Sequence, residues 1–332
     1  TPKPSSAASD VYKRQAYNQA MKGPLFYSKI LLFGEHGINK GSKGLAIPYN
    51  FYNGGLKLKN TKTPEALKSN ASLRRFTAYL EKLQTEESEL VTFDIEALKR
   101  DTEAGMYFDS SIPQGYGIGS SGALVAAIYD QYANDKITVL ENLTQEKLLK
   151  LKKILGRMES FFHGASSGLD PLNSYLSLPI LINSAESVEA TGIPMQNLVG
   201  NGAIFLLDSG IVKETAPMVQ LFMESLKDQG FRTMIKNEFL KYTDACIADF
   251  LNGDAKGLFA NIKQLSKTVY HNFKPMIPEG FHELWQKGIE SNDYYLKLCG
   301  SGGGGYILGF APDIDKAKAA LQGHKVEVVY QF

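Results

Sequence analysis

The periodic part of the chain begins at Met21. Apolar positions run almost unbroken through "FYSKILLF" and stop at Gly34 and Gly37, as in a largely buried strand. "GLAIPYNFY" and "GGLKLKN" follow as two more strands, with turns between the three. The spacing then becomes helical over residues 63–83, which carry Leu67, Leu73, Phe76, Leu80 and Leu83. "LVTFDI" and "GMYFDSS" predict further strands, and "IPQGYGIGSSGAL" is a glycine loop running into a helix. Thr144 caps the most regular helix, with Leu148, Leu151, Leu155, Met158 and Phe162 on one side and Lys147, Lys150, Lys152 and Lys153 scattered around it. "GAIFLLDSG" is a buried strand, residues 216–290 are mostly helical, and the tail reads strand, glycine turn, strand, helix, strand. Strand runs mixed with helix runs predict an α+β fold with a boundary between 180 and 205.

Residues 1–20, "TPKPSSAASDVYKRQAYNQA", have neither apolar periodicity nor the apolar core of a signal peptide. They are expected to be a non-native or disordered leader and are left out of the fold argument.

The chain's 332 residues favour two domains. A net charge of +1 gives no global field for nucleic acid or an anionic membrane, so an anionic ligand has to be caught by local groups. Two cysteines, Cys246 and Cys299, make neither a disulfide framework nor a metal-ligand spacing, which predicts a reducing, cytoplasmic setting.

Local chemistry concentrates in the glycine loops. Gly115, Gly117 and Gly119 precede a helix whose first N–H groups lack internal acceptors and carry the positive end of its dipole. Glycines let several N–H groups converge on one phosphate, and Ser120 and Ser121 add hydroxyls able to cap the helix or ligate magnesium. The bland alternative is a plain turn with a serine cap. Gly117, Gly119 and Gly122 satisfy G-x-G-x-x-G, and so do Gly300, Gly302 and Gly305, so that pattern alone is weak. Pro113 interrupts the strand that a dinucleotide turn requires, which disfavours a nicotinamide-dependent oxidoreductase. No lysine follows the glycines as in a Walker A loop, and the protein-kinase motifs are absent.

Phosphoryl transfer also needs a cation, an oxygen-ligated metal and a group that orients the acceptor hydroxyl. Glu159 lies about 20–40° around its helix from Leu148 and Leu155, at the border of the apolar face. Asp170 follows eleven residues later in "HGASSGLD", where a turn former is the ordinary reading and a base the functional one. Lys29 sits inside an apolar strand, either as an edge gatekeeper or as a charge beside a carboxylate and a phosphate. Glu35 and His36 occupy a turn between glycines.

"SKILLFGEHG" at 28–37, "IPQGYGIGSSGAL" at 112–124 and "KLCGSGGGGYILGF" at 297–310 together resemble the three motifs of the GHMP kinases, over residues 24–332. The resemblance implies an N-terminal domain like the second domain of ribosomal protein S5 (residues 21–195) and a ferredoxin-like C-terminal domain (196–332). The spacing from Lys29 to Glu35 and His36, and the eleven residues from Glu159 to Asp170, are most similar to those of members that phosphorylate mevalonate. It implies ATP and Mg2+ as cofactors, Asp170 as catalytic base with Lys29 as its charged partner, and Ser121 and Glu159 as metal ligands. Gly115, Gly117, Ile118, Gly119, Ser120, Ser121 and Gly122 would hold the nucleotide phosphates, while Glu35, His36, Gly302 and Gly303 face the acceptor and Gly304 helps close the site. Mevalonate is the expected acceptor, with phosphomevalonate or a sugar as alternatives and a non-catalytic nucleotide sensor as the rival of another class. A homodimer is left open. Gly122 stands where the family more often has alanine, and Cys299 and Ser301 replace its usual threonine and alanine.

Overall fold

In the computed structural model, which describes residues 21–332 other than Asn60, Glu141, Ala185, Lys213 and Glu214, the apolar run after Met21 forms β1 (Met21–Phe33). The predicted leader lies outside the described residues. The next two predicted strands are one, β2 (Gly44–Lys57). No turn occurs at Gly54–Gly55, because both pair with the strand opposite: Gly54 faces Ser110 and Gly55 faces Asp109. A Cβ at Gly54 would lie 2.4 Å from the Phe108 ring, so the glycine makes room for an aromatic side chain instead of reversing the chain.

The chain forms two compact units, and it passes between them within β1, within β2, around the glycine loop and after Ser177. Unit 1 comprises residues up to Ser28, Asn50–Ile112 and Gly119–Ser177. It holds α1 (Pro64–Glu86), α2 (Ile95–Glu103), β3 (Tyr107–Ser110), α3 (Ser120–Tyr132), α4 (Gln145–His163) and α5 (Leu169–Leu176). The "LVTFDI" stretch is not a strand. Asp94 caps α2 by accepting from Ala97 N at 3.0 Å, and only Phe93 makes an isolated bridge, to Ala133. Thr144 accepts from Lys147 N and caps α4 as expected. Leu148, Leu151, Leu155 and Met158 are all buried on α4, each such side chain contributing about 1.5–3 kcal/mol relative to exposure. Helices α3, α4 and α5 pack against one another.

Unit 2 comprises Lys29–Tyr49, Pro113–Ile118 and Leu178–Phe332. Here the first half of β2 pairs antiparallel with β4 (Ile180–Ser184), which pairs with β5 (Ser187–Ala190). A second sheet has the order β7-β8-β6-β9 and is antiparallel throughout, with β6 at Ala203–Asp208, β7 at Tyr295–Leu298, β8 at Tyr306–Ala311 and β9 at Val326–Gln331. Between β6 and β7 run α6 (Thr215–Ser225), α7 (Gln229–Met234), α8 (Leu240–Leu251), α9 (Ala255–Asn272) and α10 (His282–Ser291), and α11 (Ile314–Ala320) precedes β9. Trp285 on α10 is fully buried and donates its indole N–H to Ser266 O on α9 at 3.1 Å. Among the described residues no helix is long and apolar enough to cross a membrane.

Candidate active site

In unit 1 the site is built where α3, α4 and α5 converge. The cap position of α3 is Gly119 in left-handed backbone (φ 83°), not a serine. Ser120 and Ser121 are therefore inside the first turn, and their hydroxyls are available for other work. Ser121 Oγ donates to Glu159 Oε1 at 2.8 Å and lies 3.0 Å from His163 Nε2. Glu159 is 4% exposed on α4, and its second oxygen accepts from Ser166 Oγ. The border position read from the helical wheel is thus a buried carboxylate held by two hydroxyls.

Ser166 reaches α4 because Gly156 has no side chain: a Cβ there would stand 3.1 Å from Ser166 O. The same loop delivers Asp170, which is the second residue of α5 and not part of a turn. Pro171 follows in the first turn, where its missing N–H costs nothing, and the carboxylate sits at the positive end of the helix. Gly122 packs directly behind it. A Cβ at Gly122 would meet Asp170 C and Pro171 N at 2.8 Å.

The Ser121 hydroxyl and the Glu159 carboxylate are hard oxygen donors, which suit Mg2+. That ion commonly takes one or two carboxylates and completes its shell with phosphate oxygens and water. No cluster of three or more His, Cys, Asp or Glu able to hold a metal occurs among the described residues.

In unit 2 the three remaining motif segments meet. Lys29 is 3% exposed, so it is not a solvated edge lysine; its N–H donates to Ile118 O at 3.0 Å and its Nζ to Gly117 O at 3.5 Å. Gly115 and Gly117 both have left-handed backbone (φ 77° and 75°), and a Cβ at Gly117 would lie 3.1 Å from Cys299 O. The glycine turn after β7 is pinned from outside, Gly303 N donating to Met276 O and Gly305 N to Ile211 O, each at 2.6 Å. Gly302 and Gly304 leave no room for a side chain, with an added Cβ at 2.9 Å from Met276 O and 2.6 Å from Ile211 O respectively.

Glu35 and His36 lie in the turn after β1. Glu35 is 5% exposed and its Oε1 is 2.8 Å from Lys297 Nζ, a side chain fully buried on β7. Burial raises the Glu35 carboxyl above its ordinary value against the opposing pull of Lys297. His36 has φ 58°, an unusual conformation for a residue other than glycine, and its Nε2 is 3.2 Å from Ser301 O. Its ring lies tilted against those of Phe222 (centroids 4.7 Å apart) and Phe273 (6.3 Å). Burial lowers the imidazole pKa to about 4, the Ser301 carbonyl opposing and the Lys297 charge adding to the shift.

That shift has a testable sign. Between about pH 6.5 and 4 the unfolded chain binds a proton at His36 that the folded chain refuses, so stability falls on acidification through this window. Above pH 6.5 both states are neutral at this ring and its contribution is flat. The full effect is on the order of 3 kcal/mol. Denaturant titrations at pH 7 and pH 5 should show a larger loss for the wild type than for His36→Gln; equal losses would mean the ring is not the group responsible.

Sequence reasoning missed Lys297, the Ser301 carbonyl, His163 and Ser166. Lys297 carried a signal like that of Lys29, a lysine inside an apolar strand.

Residues 79–177 match the family model described as the GHMP kinases N terminal domain. The chain carries this domain and has the two-domain α+β GHMP kinase fold. It is 25% identical over 322 residues to a mevalonate kinase of Pyrococcus abyssi, covering 86% of this chain and 87% of that protein. A mevalonate kinase of Thermococcus sibiricus is similar at 26% identity over 319 residues, 86% and 88% covered. In fold it is similar to the L. major mevalonate kinase solved with R-mevalonate, at a TM-score of 0.59 and 18% identity over 94% of this chain and 97% of that one.

Proposed function

We propose that this chain is an ATP- and Mg2+-dependent kinase that phosphorylates the primary hydroxyl of mevalonate. The observation that carries the reading is the Ser121–Glu159 pair, a hydroxyl and a buried carboxylate 2.8 Å apart in the first turn of a helix that follows a glycine loop. The relatives named mevalonate kinase support the acceptor.

In this reading the backbone from Gly115 through Gly119, with Ile118, Ser120, Ser121 and Gly122, lies along the nucleotide phosphates, whose charge the helix N-terminus favours. Ser121 and Glu159 would hold Mg2+, which when bound screens phosphate charge. Asp170 accepts a hydrogen bond from the acceptor hydroxyl and takes its proton as the phosphoryl group arrives. In a loose transition state that proton moves late, so orientation by Asp170 matters as much as basicity. Lys29 supplies positive charge against the charge developing on the transferred group. Gly302 and Gly303 bring backbone close to the acceptor, and His36 contacts it.

A coupled ADP-release assay with ATP and Mg2+ against mevalonate, phosphomevalonate, galactose and homoserine tests this. Turnover with mevalonate alone is the expected result. Turnover with another acceptor instead would discard the substrate, and ATP binding with no turnover on any of them would favour a nucleotide sensor.

A further inference from the structure

The turn after β1 and the strand–turn after β7 are joined at two points. Glu35 Oε1 meets Lys297 Nζ at 2.8 Å, and His36 Nε2 meets Ser301 O at 3.2 Å. Adjacent residues on one segment therefore grip positions four residues apart on the other. Lys297 is wholly buried, donates also to Leu298 O at 2.8 Å and lies 5.7 Å from the Phe33 ring centroid. Glu35 Oε2 is buried with no hydrogen-bond partner. Glu35 Oε1 is thus committed to Lys297, and the buried carboxylate presents no solvated face.

The second contact fixes the chemistry of His36. A carbonyl oxygen only accepts, so the hydrogen lies on Nε2. In the neutral ring Nδ1 is then a bare acceptor, suited to an O–H and unsuited to a carboxylate or phosphate oxygen. The left-handed backbone of His36 and the Phe222 and Phe273 rings leave that orientation little freedom.

We propose that Lys297 is a positioning residue: by pairing with Glu35 it locks the turn that holds His36 on the Ser301 carbonyl, so that Nδ1 accepts a hydrogen bond from a hydroxyl of the acceptor molecule. The acceptor half of this inference rests on the kinase reading above. The lock itself does not.

The test uses the double variant Glu35→Gln/Lys297→Met, which removes both charges and strands neither, beside the single variant Lys297→Met. Thermal melts establish that the double variant folds. Steady-state kinetics then separate the KM for the acceptor from the KM for ATP, and long-range 15N–1H spectra report the tautomer of His36, assigned by His36→Asn. The expected result is a folded double variant whose acceptor KM rises about tenfold, as for loss of one hydrogen bond. Its KM for ATP stays put, and the His36 spectrum changes from a fixed Nε2–H tautomer to an exchange-averaged ring. An unchanged acceptor KM with an intact tautomer would overturn the proposal, as would a wild-type ring carrying its proton on Nδ1. If the wild type phosphorylates no acceptor, the kinase reading falls, and the spectra alone still decide whether Lys297 fixes His36.

Discussion

Asp170→Asn is expected to lower kcat by about 10²-fold or more, while the KM for ATP and the melting temperature stay close to wild type. Asparagine keeps the shape of the side chain at the second position of α5, so the close packing behind it is undisturbed. It removes the carboxylate's charge and with it the capacity to take the hydroxyl proton. A loss of that size corresponds to about 2.7 kcal/mol of transition-state stabilisation. Steady-state kinetics with mevalonate and a thermal melt on the same preparation would check it. A variant retaining a tenth or more of wild-type kcat would show that orientation by the backbone and Lys29 suffices, and that no base at this position is needed. A variant that is inactive but also markedly destabilised would place Asp170 in the fold and not in the chemistry.

Gly122→Ala is expected to destabilise the protein and to impair turnover together. In a helix interior alanine is normally the better residue by about 0.8–1 kcal/mol. Here the added methyl would stand 2.8 Å from two backbone atoms, Asp170 C and Pro171 N, and backbone does not swing aside as a side-chain end does. Overpacking of this kind costs about 1–3 kcal/mol, so the clash outweighs the propensity. Relief requires α3 and α5 to separate, which moves Asp170 by tenths of an ångström, and kcat should fall by about tenfold through misplacement. Chemical denaturation and kinetics measured side by side decide the matter. A more stable, fully active variant would mean that the helices part cheaply and that this glycine is incidental.

Legible in the sequence were the parts of the candidate site that depend on spacing along one segment. Glu159 was legible from its angle on the α4 wheel, and Asp170 from its distance beyond it. Ser121 was legible as one of two hydroxyls at the mouth of a helix after a glycine loop, and only the resemblance singled it out from Ser120. What escaped were partners that only tertiary pairing brings together. Lys297 and Glu35 are more than two hundred and fifty residues apart in the chain, and neither reveals the other. Local patterns also misled where one signal has two physical causes. Gly54–Gly55 looked like a turn, yet they lie within a ladder because Phe108 needs the space above Gly54. In "LVTFDI" the alternation of Val91, Phe93 and Ile95 imitates a strand, yet all three are buried at the entry to a helix that Asp94 caps. The mixed α+β architecture, by contrast, was readable because α1 and α4 keep one helical period over many residues and the core of β1 is an almost unbroken apolar run.

The glycine turn after β7 has a consequence at the level of codons. Every missense change of a glycine codon adds at least a Cβ. At Gly302 that atom would fall 2.9 Å from Met276 O on a backbone with φ 82°, and at Gly305 it would fall 2.7 Å from Tyr116 Cα with φ 70°. Neither contact is with a movable side-chain tip. These positions therefore have no neutral missense neighbours one nucleotide away, and drift in a population would leave the residues unchanged even if no substrate ever touched them. Invariance in this turn would measure how tightly the chain is packed there before it measured anything about ligand.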